Sequence, residues 1–282
     1  MIVDSHHHFW DTNRADYPWM TGEQAAIRRP FGPQDLRPAL NEVGVDATVL
    51  VQTRSSEEET REFLQTAAET AFVAGVIGWI DLTDPTAPEH LEDLRRAPGG
   101  EWLVGVRHQV HDEEDDRWLL RPDVLRGLEA VADAGLVYDL LVKPRELPSA
   151  LAVARRFTHL SFVVDHIAKP RIAAGPDPEW EEGMRPLADL ENVTVKVSGM
   201  VTEAEWKSWK PADLAPFVQS VKGWFGPERL LFGSDWPVCL VAAEYSRVLS
   251  ALLEALGDVT AGEREAILGE NARRVYRLGA EA

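Results

Sequence analysis

The sequence predicts an α/β protein folded as a single (β/α)8 TIM barrel. Three observations carry this. Short runs rich in Val, Ile and Leu recur eight times along the 282 residues. Segments with helical periodicity separate them, and most of the runs are near-continuously apolar, as strands are when both faces of a parallel sheet are covered. Strand–helix alternation implies a parallel sheet, and eight repeats imply closure into a barrel. No G-x-G-x-x-G or G-x-x-x-x-G-K-[ST] phosphate loop supports the open, doubly wound alternative.

The first strand is MIVDSHHH. A long Trp- and Pro-rich link from Phe9 to Gly44, with a short helix near Pro33–Val43, leads to the second, DATVLVQT. Ser56–Thr70 then reads as a helix, with Ser56 and Glu59 at capping-box spacing. Strands three and four are VAGVIGWI and LVGVRHQV. Pro122–Ala134 has a helical stripe that would bury Val124, Leu128, Val131 and Ala132 together, and Gly135 follows as a stop. LVYDLLVK, the helix Ser149–Phe157, LSFVVDHI, VTVKVSGM and RLLFGSDWP complete the series, and Thr260 with Glu263 repeats the capping-box spacing near the end. No shift in composition marks a boundary, so residues 1–282 are expected to form one barrel domain.

Composition excludes several classes of function. The formal charge is −18, from 29 Lys and Arg against 47 Asp and Glu. That field repels nucleic acid and anionic membrane, so neither is an expected partner. The acidic residues are spread through helical segments such as SEEETREF and PEWEEGM, which read as solvated faces. The one cysteine, Cys239, leaves no intrachain disulfide and no multi-cysteine zinc knuckle. There is no signal-peptide-type start and no run long enough to span a bilayer, so a cytoplasmic protein is expected. Oligomeric state is left open, a homo-oligomer included.

The polar residues at the strand ends carry the chemistry. Ile2 and Val3 begin a strand, which makes His6, His7 and His8 its C-terminal end and not a tag. That end of a barrel is where active sites are built. His6 and His8 point to one side and His7 to the other. Two converging imidazoles suit metal ligation or polarisation of a carbonyl oxygen, or alternatively a pair satisfied by backbone hydrogen bonds. Asp235 ends the last strand, two residues before Pro237, and a carboxylate there can bind a metal or take a proton from water. His166 ends strand six. Arg107 and His108 sit near the end of strand four, where alternation lets only one face inward. Lys143 ends strand five and is equally a site residue or a solvated strand end. Trp79, Trp10 and Trp236 fall at mouth positions, where they would stack on a sugar ring or close the core.

The stretches DSHHHFWD, VQTRSSEEETREFL, GVIGWIDL, GVRHQVHDE, WLLRPDVLRGL, YDLLVKP, FVVDHIAKP, VKVSGM and LLFGSDWPVCL cover almost the whole chain in order. In them the sequence resembles the amidohydrolase superfamily, and within it the sugar-acid lactonases that act on L-fuconolactone and L-rhamnonolactone. The resemblance implies a distorted (β/α)8 barrel. It also implies a metal site built from H-x-H on strand one, histidines on strands five and six, and an Asp on strand eight. His6, His8, His166 and Asp235 match; strand five carries Asp139 and Lys143 but no histidine. The implied cofactor is therefore zero or one divalent metal on His6, His8 and Asp235, zinc if any, and not a bridged pair. The implied reaction is opening of a sugar-acid lactone. Asp235 would act as general base, His6, His8 and His166 would stabilise the oxyanion, and Arg107 and His108 would hold ring or hydroxyl oxygens. No Ser or Cys in a G-x-S-x-G setting offers a covalent route. Metal-dependent decarboxylation of a small unsaturated or aromatic acid, and non-catalytic binding of a sugar acid, are the alternatives.

Overall fold

The computed structural model describes residues 1–279, so the last three residues of the expected 1–282 domain lie outside it. Eight strands run in parallel, in sequence order around one sheet. They are β1 Val3–His7, β2 Ala47–Val51, β3 Val73–Gly78, β4 Leu103–His108, β5 Val137–Leu140, β6 Phe162–Val164, β7 Val193–Val197 and β8 Leu230–Phe232. The sheet curls until its first and last strands meet. At that seam the Asp235 N–H donates to the His6 carbonyl at 2.8 Å and the His8 N–H to the Trp236 carbonyl at 2.7 Å. These are the parallel barrel and connectivity that the alternating pattern predicts.

The helices that cover the sheet are α1 Pro33–Val43, α2 Glu57–Glu69, α3 Ala87–Arg96, α4 Pro122–Asp133, α5 Leu147–Arg156, α6 Pro178–Met184, α7 Pro211–Phe225 and α8 Tyr245–Leu256, followed by the short α9 Ala261–Glu265 and α10 Asn271–Val275. The α4 stripe buries Val124, Gly127, Leu128, Ala130 and Val131, while Ala132 is only half-buried, one step round the helix from the face the sequence suggests. Gly135 ends α4 at φ +65°, a left-handed position that suits a residue without a Cβ. Thr260 and Glu263 form the reciprocal cap. Ser56 caps α2 through the Glu59 N–H at 3.2 Å, but no capping box closes there. The buried Glu59 carboxylate instead accepts from the Thr53 and Arg54 N–H groups, at 2.7 and 2.9 Å, and from the Thr53 hydroxyl. With the Arg54 guanidinium at 3.2 Å, four donors of the β2–α2 loop outcompete one at the helix start.

Inside the barrel the lower layer is apolar. Val3, Val49, Val51, Ile77, Val137, Val163 and Leu231 pack there, and Tyr276 and Leu278 close the bottom. A second core of larger side chains fills the space between sheet and helices. Above the apolar layer the inward positions turn polar. Arg107 and Asp139 are register partners on β4 and β5 and therefore lie at one level.

Candidate active site

The seam is clamped from below by Asp4, a fully buried carboxylate. It accepts from the Ser234 N–H at 2.8 Å, the Ser234 hydroxyl at 2.6 Å and the Tyr245 hydroxyl at 2.8 Å. Burial pushes the Asp4 pKa up, and these hydrogen bonds oppose it. The clamp ties β1 to the segment after β8, which is what brings residue 6 and residue 235 together.

Four of the expected residues converge. Asp235 Oδ1 lies 3.3 Å from His8 Nε2, and 3.9 Å from both His6 Nε2 and His166 Nε2. The His6 ring centre is 4.9 Å from that of His8 and 4.4 Å from that of His166. His7 faces away and bonds Thr48 Oγ1 at 2.8 Å, as strand alternation requires. His166 lies beyond the end of β6, on a left-handed turn. Residues 166–169 have φ of 53°, 47°, 60° and 50°, and none is glycine. Each such residue costs roughly 1–2 kcal/mol, a strain characteristic of functional positions. Ser198 Oγ bonds His166 Nδ1 at 2.9 Å, and the Trp180 indole donates to the Ile167 carbonyl at 2.6 Å, holding the turn. Gly199, at φ +62°, permits the approach, since a Cβ there would stand 2.4 Å from His166 Nδ1.

Burial is the largest single influence on each shifted group here. It lowers the His166 pKa to about 4 and carries His6 well below its ordinary value, so both are neutral at pH 7. Burial also pushes Asp235 upward, but His166, His8 and Lys169 outweigh it and hold the carboxyl below its ordinary value. The centre thus sets a carboxylate against the neutral imidazoles of His6 and His166, the condition for a base that takes a proton from water.

The donor chemistry tests whether a metal fits. A carbonyl only accepts, so His8 Nδ1, 2.7 Å from the Val51 carbonyl, carries the proton and Nε2 presents a lone pair. That lone pair meets Asp235 Oδ1 at 3.3 Å, and two acceptors so close call for a proton or a cation between them. An N–H bonded to a backbone carbonyl is the usual support of a metal-bound imidazole. His6, His8 and Asp235 each offer one ligand atom, all within 4.8 Å of one another, and so fit one divalent ion, which would take the His6 Nε2 lone pair in place of the Arg107 N–H.

Beneath His6 lies a buried charge layer. Arg107 reaches in from β4 and donates to Asp165 Oδ2 at 2.9 Å, to Gln52 Oε1 at 2.8 Å and to His6 Nε2 at 3.2 Å. Arg107 faces His6 Nε2 and Lys196 faces His6 Nδ1, and a neutral imidazole accepts from only one of them; Asp165 Oδ1, 3.3 Å from Nδ1, favours the ring proton there, with Nε2 accepting from Arg107. Lys196, fully buried on β7, stands 2.5 Å from Asp139 Oδ2, 3.0 Å from Asp165 Oδ1 and 3.3 Å from His6 Nδ1. Tyr276 donates to Asp139 from below. Burial raises both carboxyls, Asp139 to about 6; at Asp165 the surrounding Lys196, His6 and Arg107 prevail and keep it ionised.

A cavity of about 170 Å³ opens above this centre, lined by His8, Arg107, His166 and Asp235. Thr53, Gln109, His111 and Lys169 supply further polar walls, and Trp19, Leu141 and Val238 supply apolar ones. A groove of about 540 Å³ lies elsewhere, walled by residues such as Ile172, Trp180 and Phe217, but contains no imidazole and none of the converging residues. The smaller cavity holds the chemistry.

The remaining expected residues lie outside that cavity. His108 takes the outward alternation and is stacked on Trp118, with ring centres 4.2 Å apart, bonded to Glu113 and to the Trp79 indole. Trp79 is thereby turned toward His108. Trp10 donates to the Arg29 carbonyl and packs with Tyr17, Trp19 and Phe31, while Trp236 packs on Phe9 and Phe31; both close the core. Lys143 is exposed, because β5 ends at Leu140 and the chain turns outward before it. Sequence reasoning passed over Lys196, Asp165, His111, Lys169 and Trp19. A lysine inside the apolar run VTVKV and an aspartate inside VVDH were signals of an inward polar layer. Trp19 lies in the long link, where no periodicity points to the site.

Comparison with known proteins agrees with this geometry. The amidohydrolase profile matches residues 3–278. An L-fucono-1,5-lactonase of Burkholderia ambifaria is 40% identical over 283 residues, covering 98% of this chain and 95% of that one. A second, from Burkholderia multivorans, is 38% identical over 288 residues, covering 98% and 96%. A crystal structure of an amidohydrolase from Burkholderia multivorans with bound zinc superposes with a TM-score of 0.91 at 36% identity, covering 99% of each chain. By sequence, fold and the residues gathered at the barrel mouth, the chain belongs to the amidohydrolase family.

Proposed function

We propose that this protein is a hydrolase that opens the ring of a sugar-acid lactone, an aldonolactone of the L-fuconolactone kind. The observation that carries the reading is Asp235, an ionised carboxylate among three imidazoles in a cavity scaled to one small ring. Its likeness over nearly the whole chain to two L-fucono-1,5-lactonases supports the substrate class.

Asp235 takes a proton from a water whose oxygen attacks the lactone carbonyl carbon. His166 Nδ1 shares a hydrogen bond with Ser198 Oγ, and in the tautomer in which Ser198 donates, Nε2 carries the proton and meets the developing oxyanion. When the tetrahedral centre collapses, the ring C–O bond breaks and the alkoxide takes back the proton from Asp235. The products are one free hydroxyl and one carboxylic acid, which loses its proton to solvent to become the carboxylate. Arg107 holds His6 in one tautomer and orientation. Thr53, Gln109, His111 and Lys169 are placed to bind ring hydroxyls. Zinc is the divalent ion expected on His6, His8 and Asp235, and when bound it supplies Lewis-acid polarisation of the carbonyl and a more acidic water.

The test is a pH-indicator assay of proton release against a panel of aldono-1,5- and 1,4-lactones, corrected for spontaneous opening, with and without a chelator. Saturable, enzyme-dependent acid production on L-fucono-1,5-lactone or a stereoisomer is the expected result. Release of carbon dioxide from unsaturated or aromatic acids, with no lactone opened, would reject the reading.

A further inference from the structure

The layer under His6 contains a second group of metal-ligand type. His6, Asp165 and His166 each offer an atom within 4.8 Å of the others, and the Asp139 carboxylate lies next to them, bridged through Lys196. By donor type such a group suits a second divalent ion beside the one on His6, His8 and Asp235. The space between its acidic members is taken. Lys196 Nζ stands between Asp139 Oδ2 and Asp165 Oδ1, at 2.5 and 3.0 Å, and 3.3 Å from the His6 ring. The Tyr276 ring lies 5.4 Å below the ammonium, so its lower side is closed as well.

We propose that Lys196 is a built-in cation that does the positioning work of a second metal ion and limits the site to one. Charge count supports it. Lys196 and Arg107 contribute two positive charges and Asp139 and Asp165 two negative ones, so the layer is neutral as it stands. A divalent ion added there would meet an ammonium and a guanidinium across distances of about one hydrogen bond, in a buried setting where like charges are costly. Without the lysine, the same layer carries a net charge of −1, with Asp139 Oδ2 and Asp165 Oδ1 left facing the vacated space beside the His6 imidazole, the donor types of a cation site. The expectation of at most one ion rested on strand five lacking a histidine. Strand five does turn a carboxylate inward, and a lysine from strand seven takes it up. Lys196 is a positioning residue, because it meets His6 and the carboxylates and does not line the cavity.

This inference does not depend on which lactone is opened, and metal content tests it without reference to turnover. Wild-type enzyme, Lys196→Gln and Lys196→Arg are stripped of metal, loaded with excess zinc, desalted and analysed for zinc per chain. Anomalous scattering at the zinc edge then locates each ion in crystals. Wild type and Lys196→Arg should hold no more than one ion at the mouth. Lys196→Gln should hold one more, between Asp139, Asp165 and His6. A second zinc bound there in wild type, with Lys196 in place, would overturn the proposal, and so would folded Lys196→Gln that gains no ion. If Lys196→Gln does not fold in metal-free medium, supplementing expression with zinc should recover folded protein carrying the extra ion. Failure of that rescue would count against the proposal. A purely space-filling role predicts no change in zinc content in any variant.

Discussion

Replacing Asp235 by Asn removes a proton acceptor and leaves the shape almost unchanged. The backbone should tolerate it, because the seam bonds at this residue are main-chain ones: its N–H to the His6 carbonyl and its carbonyl from the Cys239 N–H. Asparagine also accepts the left-handed φ of 57° better than most residues. The loss should therefore be chemical. General-base catalysis contributes about 10²–10⁴-fold. His166, 3.9 Å away, is neutral, so no ion pair is lost with the carboxylate and the fall is set by the missing base. The nearby Asp165 offers no substitute, since Arg107 and Lys196 hold it. The expected fall is thus about 10³-fold in kcat with a far smaller change in KM. Proton release on L-fucono-1,5-lactone measures it, with circular dichroism and a thermal melt to show that the variant is folded. Turnover within tenfold of wild type in folded Asp235→Asn would mean that another group activates the water, about a factor of ten being too little for a lost base.

Three further outcomes are expected. If zinc on His6, His8 and Asp235 is catalytic, chelation abolishes turnover and added zinc restores it; if the imidazoles act unaided, metal-free enzyme stays active while His6→Ala or His8→Ala still damages it. Arg107→Met strands Asp165 and Gln52 in the interior and should cost about 3–5 kcal/mol of stability, the scale for breaking a buried ion pair, visible as a melting point lower by on the order of 10 °C; an unchanged melt would refute the buried network. Acid should unfold the protein early. His166 and His111, lowered mainly by burial to about 4 and about 3, stay neutral in the fold while the unfolded chain protonates near pH 6.5, so stability is complete above that pH and declines as pH falls toward 4; a flat melting profile from pH 7 to 5 would contradict it.

The residues legible in sequence are those whose position follows from a strand's end alone. H-x-H after MIVDS and the Asp after LLFGS stand where apolar runs stop, so parity and the barrel rule place them at one mouth. Arg107 and His108 show the limit of that logic: alternation says that one turns inward but not which, and the pairing of Arg107 with Asp165 across 58 residues decides it. The tryptophans are ambiguous in sequence because an aromatic at a strand end serves a core as well as a binding site, and it is the long link after Phe9 that supplies neighbours around Trp10 and Trp236. Lys143, by sequence equally a site residue or a solvated strand end, is solvated because the stretch LVYDLLVK continues three residues beyond the strand, which ends at Leu140. Lys196 could not be read for its partners, since Asp139 lies 57 residues away and only the register of β5 to β7 brings them together.

Because the barrel closes where it reacts, the enzyme is made last-to-first. The base is contributed by residue 235 and two of its imidazoles by residues 6 and 8, and their meeting depends on the Ser234–Asp4 clamp. A ribosome that has emitted the first seven strands has released every imidazole of the centre and no base, and such long-range closure forms late. An interrupted or clipped chain lacking the final strand is therefore inert, not partly active. Circular permutants that place new termini on the far side of the barrel, with the old ends linked, would cut the chain separation of His8 and Asp235 from 227 residues to 55 plus the linker and let the reactive half form earlier.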